Sequence, residues 1–335
     1  MNFHQALRAI ESARQILLTT HVRPDGDAVG ALVALQSCLK NAAQKKQKPC
    51  TAQLLFLSSV PDHYQFLLPA EPWTVHNQLN PQPIDSHTLD QYDLIIVVDT
   101  SADRQLPGLG EYLKNHPSRV LVIDHHLAHD GLGAIKLIDT HAAAAGEIVY
   151  NLICTAGWTI DPDTATALFV ALSTDTGWFR FENVTDQTYH IAAQLVAAGA
   201  QPHQIYRTLF QQFPASRLKL MTQMLQTLEL FCNDRLAVMH ITTDMINQTG
   251  AQRTQIENMV NEAQQIGSVE VTVLLVEQKD RSTRVSFRSR GHLDVNHIAQ
   301  KFSGGGHANA AGATLNLPLN DARSQIINTL THAMS

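Results

Sequence analysis

Six side chains that can bind divalent metals lie at the ends of strand-like runs or helices in the first half of the chain. They are His21, Asp25, Asp27, Asp99, His125 and Asp175, in the motifs His21-Val-Arg-Pro-Asp25-Gly-Asp27, Val97-Val98-Asp99, Asp124-His125-His126 and Ser173-Thr174-Asp175-Thr176-Gly177. Carboxylates and imidazoles together form a ligand set for a pair of divalent ions, and such a pair can activate water against phosphorus. The motifs therefore predict a two-metal phosphoesterase.

The first motif lies in a predicted strand-to-helix loop. Gly26 lets the backbone turn sharply, so that Asp25 and Asp27 can point toward different ions. Asp27 could instead cap the helix that follows, which is a common use of aspartate. Capping would not account for His21 or Asp25.

Asp99 and Asp175 are isolated carboxylates at the ends of apolar elements. Asp99 follows the buried run Leu94–Val98, where a dry, unpaired carboxylate is unfavourable, and it could bridge two ions or simply cap a turn. Asp175 ends a predicted helix that begins at Pro162, where the helix dipole disfavours a carboxylate unless a cation compensates it. An ordinary polar helix end is the alternative for Asp175.

The triplet Asp124-His125-His126 follows another buried run. Adjacent side chains in an extended segment point in different directions, so His125 can bind metal while His126 faces a substrate. Asp124 can hold an imidazole tautomer, as carboxylates near metal sites commonly do. Asp124, His126 and Asp99 are the predicted catalytic residues, and a structural or surface histidine pair is the alternative.

A second group of residues that could bind phosphate lies near the C-terminus. Glycines expose backbone N–H groups to anions, and the planar guanidinium group of arginine can donate two hydrogen bonds to one phosphate. A solvated strand face and an ordinary glycine-rich loop are the alternatives. The predicted substrate-binding residues are Ser286, Arg288, Arg290, Gly304, Gly305, Gly306 and His307.

Strand and helix signals alternate in the first half. Three short apolar runs predict strands at 15–20, 94–98 and 120–123, and apolar residues at helical spacing follow Asp27 and Pro162. This alternation predicts an α/β domain with a parallel sheet flanked by helices. Ligands in such sheets bind beyond the carboxyl ends of the strands, so the motifs should meet at one edge.

The sequence then predicts helical structure from Thr185 to Leu230, and strand signals return after this stretch. We predict a catalytic domain at 1–190, a helical linker at 191–230, and a smaller α+β domain with a mixed sheet at 231–335. Its predicted strands are 236–241, 269–277 and 283–290, and its predicted helices are 294–302 and 320–334.

Composition narrows the function. A length of 335 residues suits two domains, and a net charge of −6 without a basic stripe disfavours a grip on long nucleic acid. The sequence contains no apolar stretch of membrane-spanning length and no signal peptide pattern, so no membrane association is expected. The four cysteines form no CxxC pair, and we expect reduced thiols in a cytoplasmic protein.

The ordered motifs resemble those of the DHH phosphoesterase family, which is named after the triplet at residues 124–126. The C-terminal part resembles the DHH-associated domain through its glycine run and His307. Within the family, the chain is similar to the bacterial nanoRNase and pAp phosphatase branch. The resemblance covers nearly the whole chain, through HVRPDGDAVGA, VVDTS, IDHH, STDTGWFRFENVT, VSFRSR, DVNHIA and GGGHANAAGA.

This resemblance implies two Mn²⁺ ions, with Mg²⁺ or Co²⁺ as substitutes, and a homodimer is compatible with it. It implies release of mononucleotides from very short RNA and dephosphorylation of 3′-phosphoadenosine 5′-phosphate (pAp). One ion would be held by His21 and Asp25, the other by Asp27, His125 and Asp175, and Asp99 would bridge them. His126 would face the substrate phosphate, and Arg288, Arg290 and His307 would hold the nucleotide.

Three residues depart from the family pattern. Ser303 stands where a fourth glycine is frequent, and Ala308 and Asn309 stand where a basic residue is common. These departures leave the predicted metal site intact and bear on substrate choice.

Other functions fit part of the pattern. The same metal site could hydrolyse pyrophosphate, polyphosphate or a linear dinucleotide. A nucleotide-sensing regulator that no longer cleaves is a further alternative, although a sensor has no need for six metal ligands.

Overall fold

The computed structural model describes five stretches of the chain, residues 1–45, 50–70, 73–76, 83–127 and 130–334. They form two compact units, Met1–Gln211 and Gln212–Ser335. Among the described residues, no helix combines the length and apolar character needed to cross a bilayer.

The first unit is built on a six-stranded sheet. Its strands, in chain order, are β1 (Gln15–Thr20), β2 (Thr51–Phe56), β3 (Trp73–Val75), β4 (Leu94–Val98), β5 (Val120–Asp124) and β6 (Ile135–Ile138). Their order across the sheet is β3-β2-β1-β4-β5-β6, and every neighbouring pair is parallel. The predicted parallel sheet is confirmed.

Eight helices accompany this sheet in the described part of the first unit. They are α1 (Phe3–Ser12), α2 (Gly26–Lys45), α3 (Ser86–Asp90), α4 (Gly110–Asn115), α5 (Ala145–Thr155), α6 (Pro162–Asp175), α7 (Asp186–Ala197) and α8 (Pro202–Phe210). The main core joins α2, α5 and α6 to one sheet face, and a smaller core with α3 and α4 covers the other. Strands β4 and β5 are consequently buried at every residue, as strands covered on both faces should be.

Local sequence signals explain where two of these helices begin. The Asp161 side chain accepts a hydrogen bond from the Thr164 backbone N–H at the start of α6, and Pro162 occupies the first turn. Thr185 caps α7 in the same way, by accepting from the N–H of Thr188.

The second unit contains a mixed sheet, as predicted. Its strands are β7 (Glu229–Phe231), β8 (Leu236–Ile241), β9 (Val271–Glu277), β10 (Thr283–Ser289), β11 (Gly305–His307) and β12 (Ala310–Leu315). Their order is β11-β12-β10-β9-β8-β7, with β8 and β9 parallel and the other neighbours antiparallel.

Helices cover this second sheet unevenly. The described helices are α9 (Ala215–Leu225), α10 (Thr243–Thr249), α11 (Val295–Gln300) and α12 (Leu319–Ala333). Helices α11 and α12 pack on one face, while α9, α10 and the 3-10 turns at Met259–Gln265 pack on β8 and β9 at the other.

One sequence prediction and one sequence alternative about elements are wrong. The stretch from Thr185 to Leu230 is not helical to its end, because Glu229–Phe231 pairs with β8 as strand β7. The glycine run at 304–306 is not simply a loop, because Gly305–His307 pairs with β12 as the edge strand β11. Residues 191–230, the predicted linker, are divided between the two units.

Candidate metal centre

Three adjacent strands bring the predicted ligands to one edge of the first sheet. His21 follows β1, Asp99 follows β4, and His125 follows β5, and these strands lie side by side in the order β1-β4-β5. The direction of strand succession reverses between β1 and β4, since β2 and β3 lie on one side and β5 and β6 on the other. Such a switch point is where ligands bind in open α/β sheets.

The six predicted ligands converge into two groups that meet at Asp99. Within each group, the potential ligand atoms lie within 4.8 Å of one another. His21 Nε2 lies 3.4 Å from Asp99 Oδ2, and His125 Nε2 lies 3.5 Å from Asp99 Oδ1, so the two carboxylate oxygens face different imidazoles. One group is His21, Asp25 and Asp99, and a second is Asp27, His125 and Asp175; a third set joins Asp99, His125 and His126.

Asp99 has a constrained position. Its φ of 63° lies in the left-handed region, which aspartate tolerates better than most residues, and its N–H donates to Ile123 O at 2.8 Å. The residue is 2% exposed, and within the described structure its Oδ1 is a buried atom without a hydrogen-bond partner. An unsatisfied buried carboxylate oxygen is unfavourable, and a cation beside it would remove that penalty.

The four carboxylates of this site repel one another. Burial raises the pKa of Asp25, Asp27 and Asp175, and the negative charge of Asp99 adds to the rise; the pKa of Asp175 reaches about 6. Burial also opposes ionisation of Asp99, but its contacts with His125 and His21 outweigh burial and lower its pKa to about 2. Divalent cations between these groups would relieve the repulsion.

The two imidazoles reflect the same negative field. Burial lowers the pKa of His21 and His125, but Asp99, together with Asp25 at His21 and Asp175 at His125, more than reverses this and raises each pKa to about 9. The cluster therefore draws positive charge to the atoms that would bind metal. The donor set and the unsatisfied Asp99 oxygen both fit a pair of divalent cations.

Backbone contacts orient the imidazoles. His21 Nδ1 lies 3.0 Å from Val22 O, and His125 Nδ1 lies 3.3 Å from Ala142 O. With a proton on Nδ1, each imidazole can donate a hydrogen bond to its neighbouring carbonyl. Its Nε2 is then directed at the carboxylates. Metal-binding histidines are commonly oriented in this way.

Asp25 and Asp27 cap different helices. Asp25 Oδ1 accepts from Ala28 N–H at 3.1 Å, in the first turn of α2. The alternative that Asp27 caps this helix is therefore wrong. The side-chain oxygens of Asp27 instead accept from Ala145 N–H at 2.6 Å and Gly146 N–H at 2.8 Å, at the start of α5.

His126 and Asp124 form a separate pair. His126 Nδ1 lies 2.8 Å from Asp124 Oδ1, and the buried Asp124 also accepts from Ser101 Oγ at 2.6 Å. The hydrogen bond between His126 and Asp124 raises the pKa of His126. The His126 side chain is 51% exposed, in contrast to the 13% of His125, so its Nε2 can reach a substrate.

In the second unit, five of the seven predicted substrate-binding residues lie on β10 and β11, the two strands that flank β12. Alternation along β10 buries Val285 and Phe287 and leaves Ser286 and Arg288 on the other face. Arg288 pairs with Ala310, and Ala310 pairs with His307 on the edge strand.

Directly paired residues of neighbouring strands share a face. Arg288 and His307 are therefore on the same face with only the small Ala310 between them. Ser286, Gly312 and Gly305 form a parallel row in the same three strands. Because the residues between them are small, no large side chain separates the Arg288 guanidinium from the His307 imidazole on this face.

The three glycines of the run differ in surroundings. A Cβ on Gly304 would clash with Gly312 O, and a Cβ on Gly306 would clash with Ala310 O, so both glycines allow close packing of the edge strand. A Cβ on Gly305 would meet nothing closer than Asn296 Oδ1 at 3.9 Å. Of the three, Gly305 has the space to admit a ligand.

Arg290 is engaged elsewhere. Its Nη1 donates to Gly267 O at 3.0 Å, and its Nη2 donates to Gln264 O. These contacts hold the end of the 3-10 turns at Met259–Gln265 and the residues that follow it. A substrate-binding role for Arg290 stays a prediction.

Sequence reasoning missed the backbone segment Ala142–Gly146 and the two polar residues that hold it, Glu147 and Asn183. The segment contacts the predicted ligands His125 and Asp27 through main-chain atoms. Alanine side chains carry no chemical signal, so nothing in the sequence singles out this segment.

Comparisons with known proteins agree with this architecture. The sequence model of the DHH family, N-terminal domain, matches residues 15–172, and that of the DHHA1 domain matches residues 233–335. The chain is 28% identical to the bifunctional oligoribonuclease and PAP phosphatase NrnA of Thermus thermophilus, over 99% of this chain and 93% of that protein. It is 27% identical to the protein of the same description from Bacillus subtilis, over 93% and 92% of the two chains.

A solved structure shares the fold. The exopolyphosphatase-related protein from Bacteroides fragilis superposes with a TM-score of 0.86, over 99% of this chain and 95% of that one, at 23% sequence identity.

Proposed function

Because the chain belongs to the DHH family of phosphoesterases and carries a DHHA1 domain, we propose that it releases mononucleotides from very short oligoribonucleotides and removes a phosphate from pAp. Relatives that match nearly the whole chain are described by both activities. The observation that carries the proposal is the position of Asp99, whose two oxygens face two separate groups of metal-binding side chains.

We propose two divalent cations as cofactors. When bound, they would activate a water as the nucleophile and neutralise charge on the phosphoryl group. Mn²⁺ suits this site because imidazole is among its ligands, whereas Mg²⁺ prefers oxygen alone. Mg²⁺ and Co²⁺ are the substitutes to test. The proposed ligands are His21 and Asp25 at one site, Asp27, His125 and Asp175 at the other, and Asp99 at both.

His126 is the proposed catalytic side chain that touches the substrate. Asp124 accepts a hydrogen bond from protonated Nδ1 and thereby fixes the ring, and the Ser101 hydroxyl also donates to Asp124. The exposed Nε2 can then donate a hydrogen bond to a phosphoryl oxygen or to the leaving oxygen. Both are positions where negative charge develops during hydrolysis.

The second unit is the proposed nucleotide-binding part. Arg288 can donate two parallel hydrogen bonds to a phosphate, and Ser286, His307 and the open backbone at Gly305 offer further donors along the same face. A short site of this kind suits a nucleotide or a short RNA end. It agrees with the overall charge of −6, which disfavours long nucleic acid.

We also propose a cytoplasmic location and a homodimer. The four cysteines show no pairing pattern in sequence, which fits a reducing cytoplasm. A homodimer follows from the family resemblance alone. Light scattering of the purified protein would test it.

The direct test of function is a substrate panel with added Mn²⁺. The panel contains an RNA ladder from dinucleotides upward, pAp, pyrophosphate, polyphosphate and linear dinucleotides. We expect mononucleotide release that declines with RNA length, and phosphate release from pAp. Preferential cleavage of pyrophosphate or polyphosphate would reject the proposal, as would tight nucleotide binding without any product.

The role of Asp99 gives a sharper prediction. Asp99→Asn removes the charge that both ligand groups share, so kcat should fall on the order of a thousandfold or more for RNA and for pAp alike. Asp163→Asn, at an exposed carboxylate in the first turn of α6, is the matched control and should leave kcat unchanged. Near-normal rates of Asp99→Asn with saturating Mn²⁺ would contradict the shared role.

A further inference from the structure

An alanine-rich segment before α5 contacts two of the proposed ligands through its backbone. Ala142 O lies 3.3 Å from His125 Nδ1, while Ala145 and Gly146 donate their N–H groups to the two oxygens of Asp27. The segment therefore sets the imidazole tautomer at one ligand and the carboxylate direction at the other. Its own side chains contribute no ligand atom.

Two polar side chains hold the peptide groups of this segment. Ala143 N–H donates to Glu147 Oε2 at 3.3 Å, and Ala143 O accepts from Asn183 Nδ2 at 2.9 Å. Asn183 Nδ2 also donates to Asp175 O at 3.2 Å. Asn183 thus joins the alanine segment to the backbone of the third ligand in the same group.

Glu147 is an acid that the proposed mechanism does not use. It is 7% exposed, and its further hydrogen bond goes to the Thr188 hydroxyl at the start of α7. It is not part of any metal-binding group in the described residues. A buried carboxylate in this position needs a structural reason, and its contact with Ala143 provides one.

The alanine segment also packs closely against α6 and Asp27. A Cβ on Gly146 would lie 2.6 Å from Ala171 Cβ on α6 and 3.2 Å from Asp27 Oδ1. Glycine at this position lets the N–H reach Asp27 beside α6. The distance between segment and ligand is therefore set by packing as well as by hydrogen bonds.

We propose that Glu147 and Asn183 are positioning residues for one cation site only, the site formed by Asp27, His125 and Asp175. Both act through the backbone of Ala142–Gly146, and the inference rests on the two-cation site proposed above.

The other site has different supports. His21 Nδ1 contacts Val22 O and Asp25 Oδ1 accepts from Ala28 N–H, and neither contact involves the alanine segment. Loss of Glu147 or Asn183 should therefore weaken binding of one cation and spare the other.

The experiment titrates the metal-free full-length protein with MnCl₂ by calorimetry, with free Mn²⁺ followed by electron paramagnetic resonance. Two Mn²⁺ should bind to the wild type. Asn183→Ala and Glu147→Ala should each weaken one of these sites by about 10- to 100-fold, the usual effect of losing an outer contact to a metal ligand. Glu147→Gln keeps an acceptor oxygen and should bind like the wild type.

Two further variants assign the effect to a site. His21→Ala should weaken the site that Asn183→Ala spares, so the double variant should lose both. Asn151→Ala, at a partly buried asparagine further along α5, is the matched control and should bind two Mn²⁺ normally. Asn183 is exposed, so its variant should fold, and thermal unfolding of the metal-free protein verifies this.

The outcomes separate this inference from the proposed function. Normal Mn²⁺ binding by Asn183→Ala and Glu147→Ala would overturn the positioning role and leave the two-cation site standing. Equal weakening of both sites would also overturn it, because a site-specific contact cannot act on both. A wild-type protein that binds fewer than two Mn²⁺ would reject the proposed two-cation function and this inference with it.

Discussion

His125 and His126 are neighbours in sequence but have separate surroundings. His125 faces Asp27, Asp99 and Asp175, whereas the exposed ring of His126 is held by Asp124. An extended backbone sends successive side chains in different directions, which is why a DHH triplet can serve a metal and a substrate at once. The different directions of these two side chains provide a geometric basis for the predicted roles, metal binding for His125 and substrate contact for His126.

This divergence predicts different effects of the two histidines. His126→Ala should lower kcat about 100-fold, a usual loss for a group that donates a proton or a hydrogen bond in the transition state. It should leave Mn²⁺ affinity close to normal, as measured by calorimetry. His141→Ala, at a histidine whose side chain is 95% exposed, is the control.

A loss of Mn²⁺ binding by His126→Ala as large as that of His125→Ala would contradict this division. That result would place His126 among the metal ligands. His126 Nδ1 lies 3.8 Å from Asp99 Oδ1, close enough for the experiment to test this outcome.

At the residue scale, the sequence was informative where function depends on side chains. Carboxylates and imidazoles at strand ends pointed to the proposed metal centre, because the carboxyl ends of parallel strands share an edge. The support from Ala142–Gly146 was not predictable, since it depends on peptide groups that every residue carries. The left-handed φ of Asp99 also has no sequence signal.

At the scale of elements, helices α2 and α6 fix the distance between two of the proposed ligands. Asp27 lies in the first turn of α2, and Asp175 is the last residue of α6. A Cβ on Gly26 would lie 2.5 Å from Thr174 Cγ2, and a Cβ on Gly30 would clash with Ala167 O and lie 2.9 Å from Ala171 N. Two glycines one helical turn apart thus let these helices pack closely beside the site.

Gly30→Ala should therefore destabilise the protein despite the better helix propensity of alanine. The new methyl group meets backbone atoms that cannot rotate away, and overpacking of this kind costs about 1–3 kcal/mol, against a gain of about 1 kcal/mol from propensity. Thermal unfolding should show a lower Tm. Because the helices must separate, Mn²⁺ affinity should fall as well.

Gly267→Ala is the matched control for this change. Gly267 has no positive φ and nothing within 4 Å of its Cβ position, so its variant should be neutral or slightly stabilised. A Tm of Gly30→Ala at or above that of the wild type would show that α2 can shift without cost.

Elements with a strong local signal were predicted, and elements formed by pairing were not. Strands β1, β4 and β5 are apolar runs, and α6 and α7 carry capping residues. By contrast, β7 and β11 have three residues each and are strands only because a neighbour pairs with them. A glycine run has low strand propensity, so β11 follows from its partner β12 and not from its own sequence.

At the scale of the whole molecule, the sequence predicted an α/β part followed by a smaller part with a mixed sheet. It did not predict the strand order β3-β2-β1-β4-β5-β6, because strand order depends on contacts between distant segments. That order is what makes β1, β4 and β5 neighbours. Convergence of the ligands is therefore a property of the fold as much as of the motifs.

The two units should contribute to different kinetic constants. The proposed metal centre belongs to the first unit, and the face with Arg288 and His307 belongs to the second. His307→Ala and Arg288→Lys should chiefly raise KM for pAp and for dinucleotides, because they remove proposed phosphate contacts and leave the proposed metal ligands unchanged. Each lost charge-assisted hydrogen bond corresponds to about 1.5–3 kcal/mol, or roughly a 10- to 100-fold rise in KM.

Steady-state kinetics over a full substrate range separates the two constants. His332→Ala is the control, because this exposed histidine lies in the last turn of α12, a helix that packs on the sheet face opposite to Arg288. A large fall in kcat at saturating substrate with unchanged KM would contradict the binding role of His307. It would mean that this imidazole acts in the transition state, since uniform binding contacts alter KM alone.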